Sequence, residues 1–165
     1  MSKLLALDQS SRITGYAIFD GNQLVSYGKF SLDDDDIGAR LVKFRNKIQS
    51  LIEDNQINEV VFEDIQMQNN VINNIQTFKI LAEIFGIVYE LVTEMKIKNS
   101  AVLASVWKST LGIKGRTRPE QKKNAQNYVI NTFSVKPTQD ECDAICIGLH
   151  HLSHSNDIEN FDWSD

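Results

Sequence analysis

Proline and cysteine each occur only twice in the 165 residues, histidine only three times, and the formal net charge is −5 rather than positive. Two prolines, Pro119 and Pro137, make no Pro-rich linker, so nothing in the composition divides the chain. Cys142 and Cys146 stand four apart, share one helical face and cannot supply a framework of disulfide bridges; a reducing compartment fits them. Long apolar runs are missing as well. Only Leu4-Leu5-Ala6-Leu7 precedes Asp8, too short for a signal-peptide core, and no stretch approaches the roughly 20 residues of a membrane span. The expectation is a soluble cytoplasmic protein with no membrane partner. Hydrophobic residues at 42% and charged residues at 24% suit an ordinary globular fold. One domain is expected over residues 1–155, followed by an acidic, flexible tail over 156–165.

An acidic total argues at first against nucleic acid, because proteins that grip phosphates are usually basic. The distribution says otherwise. Of 22 acidic residues, eight lie in the run Asp33 to Asp36 and in the tail from Asp157 to Asp165, leaving 14 against 17 basic ones elsewhere. Between Lys108 and Lys123 six basic residues (Lys108, Lys114, Arg116, Arg118, Lys122, Lys123) face Glu120 alone. A solvated loop and helix start would account for the same composition.

Local patterns predict a mixed α/β sheet covered by helices. Leu4 to Leu7 is a continuous apolar run, as in a strand covered on both faces. Thr14 to Phe19 and Gln23 to Phe30 read as strands joined at a hairpin turn, Asp20-Gly21-Asn22. Gly15 is read as a turn that sends the second strand back along the first. Helical spacing over Ile37 to Asn55 puts Leu41, Phe44, Ile48, Leu51 and Ile52 inside, with Arg40, Lys43, Lys47 and Glu53 outside. Glu59 to Ile65 is a further strand, a polar loop covers Gln66 to Asn74, and a long helix runs to about Met95. That helix has two apolar seams, one through Ile75, Phe78, Ala82, Phe85, Tyr89 and Val92, the other through Leu81, Ile84, Val88, Leu91 and Met95. A core covers one; a second subunit, or more core, covers the other. Gly86 in its middle costs about 1 kcal/mol relative to Ala, a loss offset where another helix approaches closely. Ala101 to Leu103 is a short strand and Ser105 to Leu111 a short helix. Thr117-x-x-Glu120, with Pro119 in the first turn, opens a helix to Phe133. The last helix is expected from Asp140 to Ser155.

Two strands end in acid, at Asp8 and at Glu63-Asp64. If these strands are parallel neighbours, both acids stand at the sheet rim, where ligands of such sheets sit. Asp140 and Asp143 share a face at a helix start, although Thr138-x-x-Glu141 is itself a capping box and acids are favoured there by the dipole. Several carboxylates around one point repel and raise one another's pKa unless a cation sits between them. Hard oxygen ligands imply Mg²⁺ or Mn²⁺, and two such ions would clamp the attacking and leaving oxygens of a phosphodiester.

Asp8-Gln-Ser-Ser-Arg-Ile-Thr-Gly15 after an apolar strand, Val-Val-Phe-Glu63-Asp64, Trp-Lys108-Ser-Thr-Leu-Gly112 and Asp140-Glu-Cys-Asp143-Ala-Ile-Cys-Ile-Gly occur in that order. Together they resemble RuvC, the Holliday junction resolvase family of the RNase H-like superfamily, over nearly the whole chain. The resemblance implies an RNase H-like fold with a mixed five-stranded sheet and helices on both faces. It implies a homodimer, joined through the helix around 74–95, and Mg²⁺-dependent nicking of four-way DNA junctions. The family's four carboxylates would be Asp8, Glu63, Asp140 and Asp143, as catalytic residues and ligands of two metal ions. Its two lysines near the scissile phosphate would be Lys108 and Lys122, with Lys123 the alternative to the latter. Lys114, Arg116, Arg118, Lys123 and Gln66 are the further candidates for DNA contact.

The chain also departs from that pattern. Bacterial members usually carry Asp-Pro-Gly-Ser where this one has Asp8-Gln9-Ser10-Ser11. The aromatic that in the family follows the second carboxylate by three is here Gln66, and neither it nor Met67 offers a stacking face, which suggests a broader taste for branched DNA. Cys142, Cys146, His150 and His154 recur every four residues, but a helix climbs ~6 Å between them, so one ion reaches only two and the spacing reads as structural. The Asp-x-x-Ser-x-x-x-Gly loop is also similar to that of actin-like kinases, which need two such lobes. A non-catalytic junction-binding module is the remaining alternative. Replacing Lys114, Arg116 and Arg118 together is expected to weaken binding to every DNA and to reduce the salt slope by up to about 3. Filter binding from low to high salt measures this, and an unchanged slope removes the basic segment from the interface.

Overall fold

The computed structural model describes residues 2–66 and 75–159. In chain order the elements are β1 (Lys3–Asp8), β2 (Ile13–Asp20), β3 (Gln23–Ser31), α1 (Ile37–Asn55), β4 (Glu59–Glu63), α2 (Ile75–Glu94), β5 (Lys98–Val102), α3 (Ala104–Thr110), α4 (Arg118–Phe133) and α5 (Gln139–Glu159). The five strands form one mixed sheet in the order β3-β2-β1-β4-β5. β1 pairs antiparallel with β2 and parallel with β4, and β4 pairs parallel with β5. No helix among the described residues is long and apolar enough to cross a membrane.

Strand alternation divides the core into two layers. Leu4, Ala6 and Val61 pack with Trp107, Val129 and Ile145 of the helices on one face, while Leu5, Leu7 and Phe62 pack with Phe44, Ile48 and Val88 of α1 and α2 on the other. Both sides of β1 are therefore covered, which is why its apolar residues run on without alternation. Asp36, last of the acidic run, caps α1 by accepting from the Gly38 N–H at 3.0 Å. Thr117 caps α4 through the Glu120 N–H, but the Glu120 carboxylate accepts from the Arg116 N–H at 2.8 Å rather than closing the box on Thr117. Thr138 and Glu141 do show the return half of a box, the Thr138 N–H donating to Glu141 Oε2 at 2.6 Å.

Several expectations need correction. Gly15 is not a turn: it lies within β2, paired with Asp8 on one side and Lys29 on the other. The reversal is made by residues 9–12, where Ser10 Oγ accepts from the Ile13 N–H at 3.2 Å and the Ser10 N–H donates to Thr14 Oγ1 at 3.3 Å. Glycine is needed at 15 because a Cβ there would come within 2.0 Å of the Asp140 carbonyl oxygen. β5 begins at Lys98, not Ala101, since Lys98 to Ser100 pair with Glu59 to Val61 while carrying the polar side chains of an edge strand. Arg40 is buried at 7% exposure rather than on the outer face of α1, and among the described residues its buried Nε has no hydrogen-bond partner. α5 continues to Glu159, past the expected end at Ser155. Most of the expected polar loop, residues 67–74, lies outside the described residues, as does the tail beyond 159.

Of the two seams of α2, the one through Ile84, Val88 and Leu91 enters the core together with Val92. Ile75 and Tyr89 stay exposed at 62% and 58%, and a Cβ on Gly86 would meet nothing within 4 Å. Gly15→Ala is expected to destabilise the protein by about 2 kcal/mol, because the strand or the start of α5 must shift to admit a methyl group. A urea midpoint equal to that of the parent contradicts the close packing of β2 on α5.

Candidate active site

Asp8 and Glu63 end the parallel neighbours β1 and β4, whose register runs from Leu4↔Glu59 to Leu7↔Phe62. One residue further, the two acids stand side by side at the rim. α5 packs across β1 and β2, and the tight seat of Gly15 under the Asp140 carbonyl fixes where its first turn begins. Asp8, Glu63, Asp140 and Asp143 thus line one cavity of about 580 Å³, with Lys108 from α3 and Lys122 from α4 in the same wall. All six sequence candidates for catalysis meet there. Lys123 does not line this cavity; it lies with Arg118 and Lys122 on an adjoining cavity of about 310 Å³. Arg118 borders both. Lys114 and Arg116 are exposed on the loop before α4, and Gln66 is exposed beyond β4.

The carboxylates perturb one another. Burial pushes the Asp8 carboxyl well above the ordinary range, and Glu63, Asp143 and Asp140 push it further, against Lys108. Burial also raises Glu63, opposed by the Trp107 indole and by Lys108. Asp143 is raised to about 6 by burial, then by Glu63, with Lys108 and Lys122 pulling it down and Asp140 adding to the rise. The lysines therefore offset only part of the combined effect of burial and neighbouring charge. Among the described residues no three acidic, histidine or cysteine side chains already stand as a ready ligand set. The donor chemistry nevertheless fits a hard divalent cation: every candidate ligand is a carboxylate, and each raised pKa reports a charge that a cation would compensate.

Two residues of the site carried no role in the sequence reading. Gln9, buried beside Asp8, pairs its side-chain amide with the main chain of Glu63. Trp107, 1% exposed, anchors α3 in the core and donates from its indole N–H to Glu63 Oε2 at 3.1 Å. Lys108 Nζ lies 5.3 Å from the centre of the Trp107 ring. The order Trp-Lys was visible in the sequence, but the partner is 44 residues away. Along α5, Cys142 and Cys146 are free and buried, and the His150 ring lies tilted against that of His154 with centres 4.4 Å apart.

A carboxyl whose pKa is raised on folding weighs against the folded state once it ionises. For Asp143 the folded protein binds more protons than the unfolded chain between its ordinary 3.8 and about 6, so its contribution to stability falls as pH rises through that window and stays low above it. Asp143→Asn, melted in a chelator, is expected to be more stable than the parent at pH ~7 by on the order of 1–2 kcal/mol, or several degrees, with the gain gone at pH ~4. Equal melting temperatures at pH ~7 contradict a cost of holding Asp143 ionised in this cavity.

The model of the family described as crossover junction endodeoxyribonuclease RuvC matches residues 4–151. No curated protein sequence matches the chain. Among solved structures it is similar to Thermus thermophilus RuvC in complex with a Holliday junction substrate, at 11% identity and a TM-score of 0.74, covering 94% of this chain and 96% of that one. The yeast mitochondrial Holliday junction resolvase matches at 14% identity and a TM-score of 0.67, over 97% of this chain and 81% of that one. The fowlpox virus resolvase with its junction DNA matches at 14% identity and a TM-score of 0.58, over 93% and 98%. These likenesses give the fold, an RNase H-like α/β domain with a mixed five-stranded sheet. With the family model spanning both strand-end acids and the acidic start of α5, the chain belongs to the crossover junction endodeoxyribonuclease RuvC family.

Proposed function

We propose that this chain is a homodimeric, divalent-metal-dependent endonuclease of the cytoplasm that nicks four-way junctions and other branched DNA. The observation that carries this reading is the convergence of Asp8, Glu63, Asp140 and Asp143, from two strands and a helix, on one cavity walled by Lys108 and Lys122. Those four carboxylates would hold Mg²⁺ or Mn²⁺, up to two ions, whose charge when bound supports the attacking and leaving oxygens of phosphodiester hydrolysis. The chain's own groups do the rest. Lys108 and Lys122 offer ammonium donors to the oxygens of the reacting phosphate. Arg118 and Lys123, on the adjoining basic cavity, seat the backbone beside it, and Lys114 and Arg116 extend the contact along the exposed loop. All of these residues lie within residues 1–155, so a single nuclease domain carries the site.

Paired nicks on a two-fold junction require two sites related by the same symmetry. The outer face of α2, with Ile75 and Tyr89 exposed and Gly86 open to close approach, supports placing the second copy there. Gln66, exposed and without an aromatic face, supports selection by branching rather than by a stacked base. The test is cleavage of labelled four-way, three-way and linear duplex DNA with and without Mg²⁺, using the parent and Asp8→Asn. The variant is expected to keep its junction affinity while losing at least about a hundredfold in cleavage. Cleavage by Asp8→Asn at the parental rate removes the acid cluster from the chemistry. Junction binding with no cleavage by the parent at any Mg²⁺ concentration leaves the chain a binding module, and ATP turnover without cleavage favours the actin-like alternative.

A further inference from the structure

Glu63 is held at both ends by side chains from other parts of the chain. Gln9 Nε2 donates to the Glu63 carbonyl at 2.5 Å, and the Glu63 N–H donates to Gln9 Oε1 at 3.1 Å. Backbone pairing of β1 with β4 stops at Leu7↔Phe62, one residue short of the Asp8↔Gly15 pair that ends β1 on its other edge. The amide of Gln9 takes the place of the next peptide in the ladder, and at 9% exposure it does so with little access to water. At the other end Trp107 Nε1 donates to Glu63 Oε2 at 3.1 Å from a ring that is 1% exposed. A glutamate carboxylate on its flexible stem would otherwise sample several rotamers. Three hydrogen bonds instead fix its main chain and one oxygen, and among the described residues none donates to Oε1.

We propose that Gln9 and Trp107 are positioning residues for metal binding: together they clamp Glu63 so that Oε1 is presented as its ligand oxygen. The inference rests on the nuclease reading above, with Glu63 as a ligand. It also gives a part to Gln9, which stands where the resemblance to bacterial members leads one to expect proline. Hydrogen-bond partners of metal ligands commonly govern affinity by ten- to a hundredfold, by holding the ligand in its bound orientation.

Two substitutions separate positioning from packing. Trp107→Phe keeps an aromatic ring in the core and removes the donor; Gln9→Met keeps the chain length and removes both hydrogen bonds. Titration of the full-length, DNA-free protein with Mn²⁺ in a calorimeter is expected to give a Kd about tenfold higher for either variant. The Mg²⁺ concentration for half-maximal junction cleavage should rise in parallel, with the KM for DNA unchanged. In a Glu63→Gln background neither change should weaken Mn²⁺ binding further. A variant that melts earlier but binds Mn²⁺ like the parent overturns the proposal, since packing alone predicts that result. A second readout avoids any unfolded variant: in Trp163→Phe, Trp107 is the only tryptophan, and its emission should change along the Mn²⁺ binding curve. Emission unmoved at saturating Mn²⁺ overturns the clamp. A parent that neither binds Mn²⁺ nor cuts junctions overturns the nuclease reading as well, whereas a parent that does both beside variants of parental affinity overturns the clamp alone.

Discussion

Four carboxylates in one half-buried cavity repel one another, and most of this architecture follows from holding them there. Isolated charges leave such a place by protonation or by chain movement. Here the movement is blocked: Asp8 and Glu63 are tied to buried parallel strands, and Asp140 and Asp143 to a helix whose start is seated on Gly15. What remains is the raised pKa of Asp8, Glu63 and Asp143, driven first by burial and, at Asp8 and Asp143, raised further by the neighbouring carboxylates. The opposite end of β4 shows the contrast. Burial pushes Glu59 up, but Lys98 and His151, at 2.9 and 2.8 Å from Oε1, outweigh it and its pKa falls below the ordinary value. One strand thus begins with a carboxylate paired to Lys98 and His151 and ends with one that, among the described residues, holds only the Trp107 indole, and that end faces the cavity.

The same constraint accounts for the spread of charge along the chain. The segment from Lys108 to Lys123 holds the positive groups nearest the acids: Lys108, Arg118 and Lys122 in the acid cavity's wall, and Lys123 beside it on the adjoining cavity. The rest of the surface can then be acidic without opposing a polyanion at the site. Asp36, in the acidic run that biases the total, caps α1 on the helix layer across the sheet from α5.

Legibility in the sequence followed the range of the interactions. β1, the hairpin at Gly21, α1 and the start of α4 were readable because apolar runs, turn residues and caps act within a few residues of themselves. The acids at strand ends were readable for the same reason, and their convergence followed once β1 and β4 were taken as parallel. β5 was half hidden because Lys98 to Ser100 pair through main-chain groups while their side chains read as loop. Gly15 was misread because its partner, Asp140, is 125 residues further on, and no local pattern announces a backbone approach of that kind. Gln9 and Trp107 were passed over for the same reason: each meets Glu63 across more than 40 residues. The choice between Lys122 and Lys123 depended on which face of α4 turns toward the acids.

The acid cluster stores the cost of buried, mutually repelling carboxylates, and a divalent cation bound there would relieve it. Melting the DNA-free protein across a series of Mg²⁺ concentrations, with ionic strength held constant, reads that relief. The melting temperature is expected to climb with the logarithm of Mg²⁺ above the dissociation constant, as it must when an ion binds only the folded state. A melting temperature that stays flat from chelator to saturating Mg²⁺ would contradict it.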